Sequence, residues 1–308
     1  MIKPKLFMMC GLPASGKSHE AQELAAIYNA TVFSSDDLRI ELFGDVNHQE
    51  GNQTMFVELH RRVKECLKSG NSAILDATNT NYKKRIAFLA ELKNIACEKI
   101  CVLMATPYKE CLRRNDERER QVPEYVLKRM YMNFNMPYWY EGWDDIHVVY
   151  SDGAQNSMGY AGDWIQSVMD FNQDNDHHAL TLGEHCQKTY EIVFSYCDNA
   201  YNEHEISLCA AAMLHDLGKV FTKTFVNAKG ETTGQAHYYS HQCCGAYDSV
   251  FFKGLQNKLY TAQLIQWHMH PYMAWTQSEK AMKRDKQLLG DEMFDNIMLL
   301  HKADQAAH

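Results

Sequence analysis

The sequence predicts two consecutive domains, an α/β domain with a parallel sheet flanked by helices and an all-helical domain after it. Three observations lead to this prediction. Short apolar runs alternate with helical segments in the first half, helical segments follow one another in the second half, and a turn-rich stretch separates the halves. The predicted bounds are 1–152 for the first domain, 153–162 for a linker and 163–308 for the second domain. A length of 308 residues is ordinary for two domains.

The first domain is predicted from an alternation of strands and helices, the rhythm of βαβ units. The apolar runs that predict strands are 6–10, 30–34, 72–75, 99–104 and 146–150, and the helical segments between them are 17–28, 53–69 and 81–95. In the second domain no strand pattern stands out. Its predicted helices are 163–171, 181–199, 203–216, 240–254, 257–270 and 291–308, with Thr181 and Ser240 as N-caps.

The composition excludes several classes of protein. With 45% hydrophobic and 23% charged residues, the chain has the make-up of a globular protein and not of a disordered one. The 10 cysteines are scattered and no signal-peptide pattern precedes them, so we expect reduced thiols in a cytoplasmic protein. No apolar run is long enough to cross a membrane, so no membrane partner is expected. The net charge of −8 argues against a non-specific nucleic-acid coat protein.

A phosphate-binding loop follows the first predicted strand and opens the first predicted helix. The residues that match G-x-x-x-x-G-K-[ST] are Gly11, Leu12, Pro13, Ala14, Ser15, Gly16, Lys17 and Ser18. Glycines let backbone N–H groups curl around phosphate oxygens, and the helix N-terminus adds positive potential. Lys17 reaches the β and γ phosphates, and the Ser18 hydroxyl is a ligand for Mg²⁺. The sequence therefore predicts ATP and Mg²⁺ as cofactors.

Polar residues follow two other strands at the same predicted sheet edge, where an open α/β sheet binds its ligands. Asp36 has the chemistry of a general base for an accepting hydroxyl, and Arg39 has that of a partner for an anionic acceptor. The alternative is that Asp36 and Asp37 only cap the following helix. Asp76 ends the next strand and suits a role at the metal ion or the acceptor.

A basic run of Arg113, Arg114, Arg118 and Arg120 lies later in the first half. Arg114 and Arg118 are four residues apart, so they share one face of a helix. Paired guanidinium groups suit a lid over a triphosphate, where they neutralise charge in the transition state. Acidic residues are interleaved with the arginines, so an ordinary solvated helix face is the alternative.

Taken together, these motifs resemble the polynucleotide 5′-kinase family of P-loop phosphotransferases. The resemblance rests on the P-loop and on Ser35-Asp36-Asp37-x-Arg39, Asp76-x-Thr78-Asn79 and Arg114-Asn115-x-x-Arg118-x-x-x-Val122-Pro123-Glu124. It spans about half the chain and implies phosphorylation of 5′-hydroxyl ends of RNA or DNA. It also implies that Asp36 is the general base, that Arg39 contacts the phosphate of the acceptor, and that Arg114 and Arg118 are lid arginines.

Most histidines lie in the second half, around a His215-Asp216-Leu-Gly-Lys219 segment. Adjacent His and Asp can both point at one metal ion only where a helix ends, as Gly218 suggests. His185, His241, His268 and Asp304 each lie on a separate predicted helix. Imidazoles with a few carboxylates bind Mn²⁺, Ni²⁺, Co²⁺, Fe²⁺ or Zn²⁺, and a bridging carboxylate suits two ions. The alternative is that the histidines are ordinary core or surface groups.

The series His185, His215-Asp216, His241, His268 and Asp304 resembles the HD superfamily of metal-dependent phosphohydrolases. The resemblance implies an all-helical domain that removes phosphate from esters, with Lys219 beside the phosphate. It implies His185, His215, Asp216 and Asp304 as metal ligands, and His241 and His268 as ligands of a second ion. His237 and His178 are candidates for the substrate pocket.

The two resemblances together imply an end-healing enzyme. Broken RNA carries a 2′,3′-cyclic, 3′ or 2′ phosphate on one side and a 5′-hydroxyl on the other, and a polynucleotide ligase would act after both ends are healed. Known fusions of the two kinds of domain usually carry the HD part first, whereas here it comes last. One alternative is a nucleoside or small-molecule kinase joined to a mononucleotidase, which fits the acidic second half. Another is an ATP-driven switch, although a switch needs no acceptor base such as Asp36.

Overall fold

The computed structural model of the protein describes residues 3–48, 50–176, 179–197 and 202–307. The chain divides into two units. The first comprises Met1–Met130 and Pro137–Asp152, and the second comprises Tyr131–Met136 and Gly153–His308. The predicted α/β architecture of the first half is confirmed, and the second half is mainly helical, as predicted.

The first unit contains a five-stranded parallel sheet in the order β2-β3-β1-β4-β5. The strands are β1 Lys5–Cys10, β2 Thr31–Ser34, β3 Ala73–Asp76, β4 Glu98–Ala105 and β5 Asp145–Tyr150. The helices that accompany them in the chain are α1 Lys17–Tyr28, α2 Ser35–Phe43, α3 Asn52–Lys68, α4 Tyr82–Glu91, α5 Tyr108–Asp116 and α6 Glu124–Met132. Helix α2 was not among the predicted segments.

Strand β1 lies in the middle of the sheet because both of its faces are apolar. Phe7 and Met9 pack with Ile74 of β3 and Val102 of β4 in the core, and all four side chains are buried. Near-continuous apolar runs of this kind are typical of strands covered by helices on both faces. Since all five strands are parallel, their carboxyl ends lie at one edge, and the loops after β1, β2 and β3 meet there.

The second unit consists of helices and one short hairpin. Its helices are α7 Ala161–Ser167, α8 Leu182–Ser195, α9 Glu203–Leu214, α10 Lys219–Thr222, α11 His241–Ser249, α12 Lys258–Trp267, α13 Glu279–Leu289 and α14 Asp291–Ala306. A π-helical turn covers Pro271–Trp275. Residues 198 and 199 of the predicted helix 181–199 lie outside the described residues. Within the described part of the chain, no helix combines the length and the apolar character that a membrane span requires.

The hairpin contradicts the expectation that this half lacks strands. Strands β6 Thr224–Val226 and β7 Thr232–His237 pair antiparallel, and Gly230 adopts a φ of 84° in the turn between them. Positive φ is a conformation that glycine adopts without steric cost. The strands are short and β7 is mostly polar, so neither gives the apolar alternation by which strands are recognised.

Residues 153–162, predicted as a linker, belong to the second unit instead. The Met158 N–H donates to the Phe251 carbonyl over 3.2 Å, and the Lys253 N–H donates to the Gly159 carbonyl over 2.7 Å. The backbone of this turn-rich stretch is therefore hydrogen-bonded to the segment that directly follows helix α11 in the second unit. Turn-forming composition predicted the loop correctly, but it does not distinguish a packed loop from a free one.

Tyr131–Met136 also belong to the second unit, although they precede the last strand of the first. The Tyr131 hydroxyl donates to the Asp248 carboxylate over 2.5 Å. The Gln266 side chain donates to the Phe134 carbonyl over 3.2 Å and accepts from the Met136 N–H over 3.0 Å. This short segment therefore supplies both backbone and side-chain partners to helices α11 and α12.

A fully buried ion pair fixes the loop after β3. The Arg85 and Glu141 side chains have no exposed surface, and two hydrogen bonds of 2.7 and 2.6 Å join them. Arg85 also donates to the Asn79 carbonyl over 2.8 Å, and the Asn79 side chain donates to the Met9 carbonyl over 2.7 Å. The ion pair therefore connects α4 to the end of β1, where the phosphate-binding loop begins.

Glu141→Gln is expected to lower the free energy of unfolding by about 3 kcal/mol, because it leaves a buried guanidinium without its opposing charge. Chemical denaturation of the full-length protein measures this. The control is Glu65→Gln, whose partner Arg61 is about half exposed, and it should change stability little. If both variants lose the same free energy of unfolding, the buried ion pair does not stabilise the fold more than the exposed one.

Candidate phosphoryl-transfer site and candidate metal centre

The phosphate-binding loop is shaped by two residues with left-handed backbone and by one close approach. Ala14 has a φ of 62° and Gly16 a φ of 97°. A Cβ atom on Gly11 would lie 2.6 Å from Ser15 Oγ and 2.9 Å from the Met104 Cβ atom, so only glycine fits there. The Thr106 hydroxyl donates to the Ser15 carbonyl over 2.9 Å and holds the loop from β4.

Lys17 and Ser18 begin α1 directly after this loop. Lys17 Nζ donates to the Leu12 carbonyl over 2.7 Å, so the ammonium group curls over the loop. Burial lowers the pKa of Lys17, and the negative charge of Asp76 opposes this shift. Ser18 Oγ donates to Asp76 Oδ2 over 2.7 Å. A hydroxyl and a carboxylate in contact are ligands that Mg²⁺ accepts, so these two residues fit the predicted ion.

The hydroxyl of Ser15 provides a further sign that the loop suits phosphate. Its oxygen is buried and has no hydrogen-bond partner among the residues that the structure describes. A buried hydroxyl without a partner is costly, because it has lost its hydrogen bonds to water. A phosphate oxygen in the loop would satisfy it.

Asp36 lies in the first turn of α2, where its carboxylate bridges two arginines. Its Oδ1 accepts from Arg39 over 2.9 Å, and its Oδ2 accepts from Arg120 over 2.8 Å. The helix is capped by Ser34, whose Oγ accepts from the Asp37 N–H over 3.2 Å. The alternative that the acidic pair serves as the cap is therefore wrong, and the Asp36 carboxylate is held by arginines instead.

Arg120 is one of two members of the basic run, with Arg113, to which the sequence assigns no role. Its guanidinium also donates to the Asn47 side chain over 3.2 Å and to the Val46 carbonyl over 3.3 Å. The signal in the sequence was only that Arg120 belongs to a cluster of arginines. Its partner Asp36 lies 84 positions away, so local spacing could not reveal the contact.

The two predicted lid arginines differ in their surroundings. A Cβ atom on Gly16 would lie 3.8 Å from Arg114 Nη1, so this guanidinium lies beside the phosphate-binding loop. Its Nε donates to Glu110 over 2.7 Å. Arg118 lies after the end of α5 and is exposed, and its positive charge contributes to the lowered pKa of Lys17. The predicted one-face pair on a continuous helix is therefore wrong, because α5 ends at Asp116.

The second unit brings all six predicted metal ligands together. They form two buried groups, one of His185, His215 and Asp304 and the other of Asp216, His241 and His268. Within each group the candidate ligand atoms lie within 4.8 Å of one another. His185 Nε2 lies 3.1 Å from His215 Nε2, and His241 Nε2 lies 3.2 Å from His268 Nε2.

Backbone carbonyls orient three of the imidazoles. His215 Nδ1 lies 2.9 Å from the Ala212 carbonyl, His241 Nδ1 lies 2.8 Å from the Tyr238 carbonyl, and His268 Nδ1 lies 2.6 Å from the Ile265 carbonyl. A carbonyl only accepts, so each Nδ1 carries a proton and each Nε2 faces the cluster. This is how proteins orient histidines toward a metal ion. The donor set therefore fits divalent metal ions.

Asp216 lies between the two groups. Its Oδ2 is 3.4 Å from His215 Nε2 and its Oδ1 is 3.2 Å from His241 Nε2, so one carboxylate faces both. Although burial opposes ionisation, Lys219 and His215 hold the pKa of Asp216 well below its usual range. Burial and the neighbouring histidines lower the pKa of His268 to about 3. Neutral imidazole and ionised carboxylate are the forms that bind metal.

Helix α9 ends at Leu214, so His215 and Asp216 lie at a helix end as predicted. Gly218 does not end the helix as a left-handed residue, because its φ is −69°. A Cβ atom at this position would lie 2.0 Å from the His241 carbonyl oxygen. The absence of a side chain therefore lets the segment after His215-Asp216 lie against the start of α11, and this close approach brings His241 to Asp216.

Several polar side chains surround the cluster. Lys219 Nζ donates to Asp216 Oδ2 over 2.7 Å and to Gln173 Oε1 over 2.8 Å. Tyr272, in the π-helical turn after His268, donates to Asp304 Oδ2 over 3.0 Å. Gln173 and Tyr272 were missed by sequence reasoning, because neither belongs to a motif. π-Helical turns occur often at functional sites.

Two further histidines, His237 and His178, are predicted for the substrate pocket. His237 ends β7, where its Nε2 lies 3.1 Å from the Thr233 hydroxyl and its ring stacks on Tyr239 with centroids 5.5 Å apart. His178 lies outside the described residues. Their assignment to a substrate pocket stays a prediction.

Comparison with known proteins concerns part of the chain. Residues 6–137 match the family described as AAA domain. The chain is 27% identical over 143 residues to the L-seryl-tRNA(Sec) kinase of Methanococcus maripaludis, a match that covers 45% of this chain and 56% of the relative. The chain therefore spans about half the length of this curated relative. Together with the loop geometry, these matches show an α/β P-loop domain in the N-terminal half, and the relative matched by that half is a kinase.

Similar solved structures include the APS kinase CysC of Mycobacterium tuberculosis, with a TM-score of 0.38 and 17% identity. That match covers 49% of this chain and 91% of the other. A second is the Pnkp1/Rnl/Hen1 RNA repair complex, with a TM-score of 0.37 and 20% identity, covering 43% of this chain and 44% of the other.

Proposed function

We propose that the protein heals both ends of broken nucleic acid strands. The N-terminal kinase domain phosphorylates 5′-hydroxyl ends with ATP, and the second unit removes 2′,3′-cyclic, 3′ or 2′ phosphates with divalent metal ions. The observation that carries this proposal is that one chain holds both a P-loop with an adjacent carboxylate and a six-ligand cluster of histidines and aspartates. A polynucleotide ligase would use the healed ends.

The kinase step is assigned to side chains around the phosphate-binding loop. Lys17 stabilises the charge of the transferred phosphoryl group, and Ser18 with Asp76 would hold Mg²⁺. Asp36 accepts the proton as the 5′-hydroxyl oxygen bonds to the γ phosphorus, the bond to the bridging oxygen breaks and ADP leaves. Arg114 is placed beside the loop to neutralise the charge that develops, and Arg118 is proposed to join it.

The phosphohydrolase step is assigned to the buried cluster. His185, His215 and Asp304 would hold one metal ion, His241 and His268 would hold a second, and Asp216 would contact both. Divalent ions polarise phosphoryl oxygens and activate water for attack on phosphorus. Lys219 adds a positive charge beside Asp216, where it suits the leaving phosphate. The resemblance to HD phosphohydrolases supports this assignment, with Mn²⁺, Ni²⁺, Co²⁺, Fe²⁺ and Zn²⁺ as candidate ions.

The curated relative supports a nucleic acid as the acceptor. It is named for a seryl-tRNA substrate, so a kinase with partial similarity to this chain has an acceptor attached to RNA. The net negative charge of the chain does not argue against a nucleic-acid acceptor, because binding a strand end needs only a local site of positive charge. RNA and DNA ends are both compatible with this chemistry.

Labelled oligonucleotides test the two activities separately. One arm supplies a 5′-hydroxyl strand with ATP and Mg²⁺, and the other supplies a strand ending in a 2′,3′-cyclic phosphate with Mn²⁺, Ni²⁺ or Co²⁺. We expect a 5′-phosphorylated product in the first arm and phosphate release in the second. Turnover of nucleosides and mononucleotides in place of strands would favour the alternative, a small-molecule kinase joined to a nucleotidase.

Asp36→Asn is expected to reduce 5′-phosphorylation by a factor of about 10² or more, because the amide cannot accept the hydroxyl proton. ATP binding should persist, since the phosphate-binding loop is unchanged. The matched control is Asp37→Asn, an exposed neighbour in the same helical turn. If both variants keep the parental rate in a labelled-ATP transfer assay, Asp36 is not the base.

A further inference from the structure

Both carboxylate oxygens of Asp36 accept a hydrogen bond from an arginine. Oδ1 accepts from Arg39 and Oδ2 from Arg120, at 2.9 and 2.8 Å. A guanidinium that turned its hydrogen bonds to another partner would leave its oxygen of Asp36 more accessible to a hydroxyl. The two arginines differ in how easily they can do this.

The Arg39 side chain is enclosed by the protein. Its side chain is only 7% exposed. One terminal nitrogen donates to Asn52 Oδ1 over 2.8 Å, and the other also lies 3.5 Å from the Val46 carbonyl. Its Nε is buried and has no hydrogen-bond partner among the described residues. An arginine enclosed in this way cannot turn toward an incoming ligand without losing several contacts.

Arg120 is more accessible. Its side chain is 32% exposed, and the Asp36 carboxylate that it contacts is 49% exposed. Its other contacts, to Asn47 and the Val46 carbonyl, are longer, at 3.2 and 3.3 Å. An acceptor that approaches Asp36 from solvent therefore meets Arg120 and not Arg39. Two guanidinium groups around one carboxylate also leave a surplus positive charge, which suits an anion.

We infer that Arg120 binds the phosphate next to the accepting hydroxyl, and that Arg39 is a positioning residue that holds Asp36. This inference deepens the proposed 5′-kinase function and rests on it. In a polynucleotide, the nucleotide with the free 5′-hydroxyl carries its first phosphate on the 3′ oxygen. When Arg120 turns its hydrogen bonds to that phosphate, Oδ2 of Asp36 becomes free for the hydroxyl proton.

The chemistry of the two partners favours this exchange. A guanidinium forms two parallel hydrogen bonds with a phosphate as readily as with a carboxylate. The exchange leaves Asp36 with the Arg39 bond that keeps it oriented. An acceptor without the phosphate leaves Arg120 on Asp36, so the site favours a strand end over a simple nucleoside.

The test compares two acceptors that differ only in the phosphate, adenosine 3′-methylphosphate and adenosine. Initial rates of 5′-labelling from labelled ATP give kcat and KM for each acceptor with the full-length protein. Arg120→Ala is expected to reduce the preference for the phosphorylated acceptor, as the ratio of kcat/KM values, by about 10-fold to 100-fold. Arg120→Lys should retain part of the preference, because it keeps the charge.

Arg39→Ala should lower kcat for both acceptors by the same factor and leave the preference ratio unchanged. Because Arg39 is buried, Arg39→Lys is included in case the alanine variant fails to fold. Arg113→Ala is the matched control, since this exposed arginine of α5 pairs with Glu110 and Glu117. An unchanged preference in Arg120→Ala, or a selective loss in the Arg39 variants, overturns the inference. A parental enzyme that labels neither acceptor nor a 5′-hydroxyl strand overturns the proposed kinase function itself.

Discussion

Asp216→Ala is expected to abolish the release of phosphate from 2′,3′-cyclic and 3′-phosphate ends and to remove metal from the purified protein. The reduction in rate should reach a factor of about 10³ or more, which corresponds to the several kcal/mol that a metal ion contributes to such a transition state. Phosphorylation of 5′-hydroxyl ends should remain, because Asp216 and the residues of the proposed kinase machinery belong to different units of the chain.

The size of this effect follows from the position of one carboxylate between two ligand groups. Asp216 Oδ1 faces His241 and Oδ2 faces His185 and His215, so its removal takes a ligand from both sites at once. It also removes the carboxylate that lies 2.7 Å from the ammonium group of the buried Lys219. Asp216→Asn keeps the shape and is the milder variant if the alanine protein is unstable.

Metal analysis by mass spectrometry and a phosphate-release assay measure the outcome together. Asp295→Ala is the control, because this exposed residue lies on α14, the helix that carries Asp304. If the parent and Asp216→Ala carry the same metal and the variant still releases phosphate, the histidine cluster is structural, and the function reduces to that of a kinase with a helical second unit.

Lys17→Ala is expected to reduce 5′-phosphorylation by a factor of about 10³ or more. The ammonium group lies over the phosphate-binding loop, bonded to the Leu12 carbonyl, where it is positioned to contact the β and γ phosphates. Alanine removes this preorganised charge, and water that enters the site is a weaker and less ordered substitute. The rate of transfer from labelled ATP measures the effect.

Lys93→Ala is the matched control for Lys17→Ala, because Lys93 is exposed and lies beyond α4 in the same unit. Metal content and phosphate release should be unchanged in both lysine variants. A Lys17→Ala protein that transfers phosphate at the parental rate would show that the loop does not bind the donor in the predicted way.

The contiguous motifs were predictable because their chemistry depends on local spacing. The eight residues of the P-loop need only a strand before them and a helix after them, and both signals are present in the sequence. The six candidate metal ligands lie far apart in the chain, and the resemblance to HD phosphohydrolases, not periodicity, identifies them. The structure brings these residues into one buried cluster.

Contacts between segments that are far apart in the sequence could not be predicted from the local spacing of residues. The bond between Arg120 and Asp36 depends on how the segment after α5 lies against the loop after α2, which no helical period specifies. The end of α9 beside Gly218 was predictable, but the 2.0 Å approach that a Cβ atom at Gly218 would make to the His241 carbonyl oxygen was not. The hairpin of β6 and β7 was missed because its polar strands lack the apolar alternation of a strand.

The membership of Tyr131–Met136 in the second unit determines how the two proposed activities can be separated experimentally. A protein that begins at residue 153 would lack the Tyr131 hydroxyl that binds Asp248 and the backbone groups of Phe134 and Met136 that bind Gln266. A protein that ends at residue 130 would lack β5, an edge strand of the first sheet. Neither half is encoded by an uninterrupted stretch of chain. Dissection by truncation therefore damages at least one of the halves, whereas point substitutions inactivate each site within the intact polypeptide.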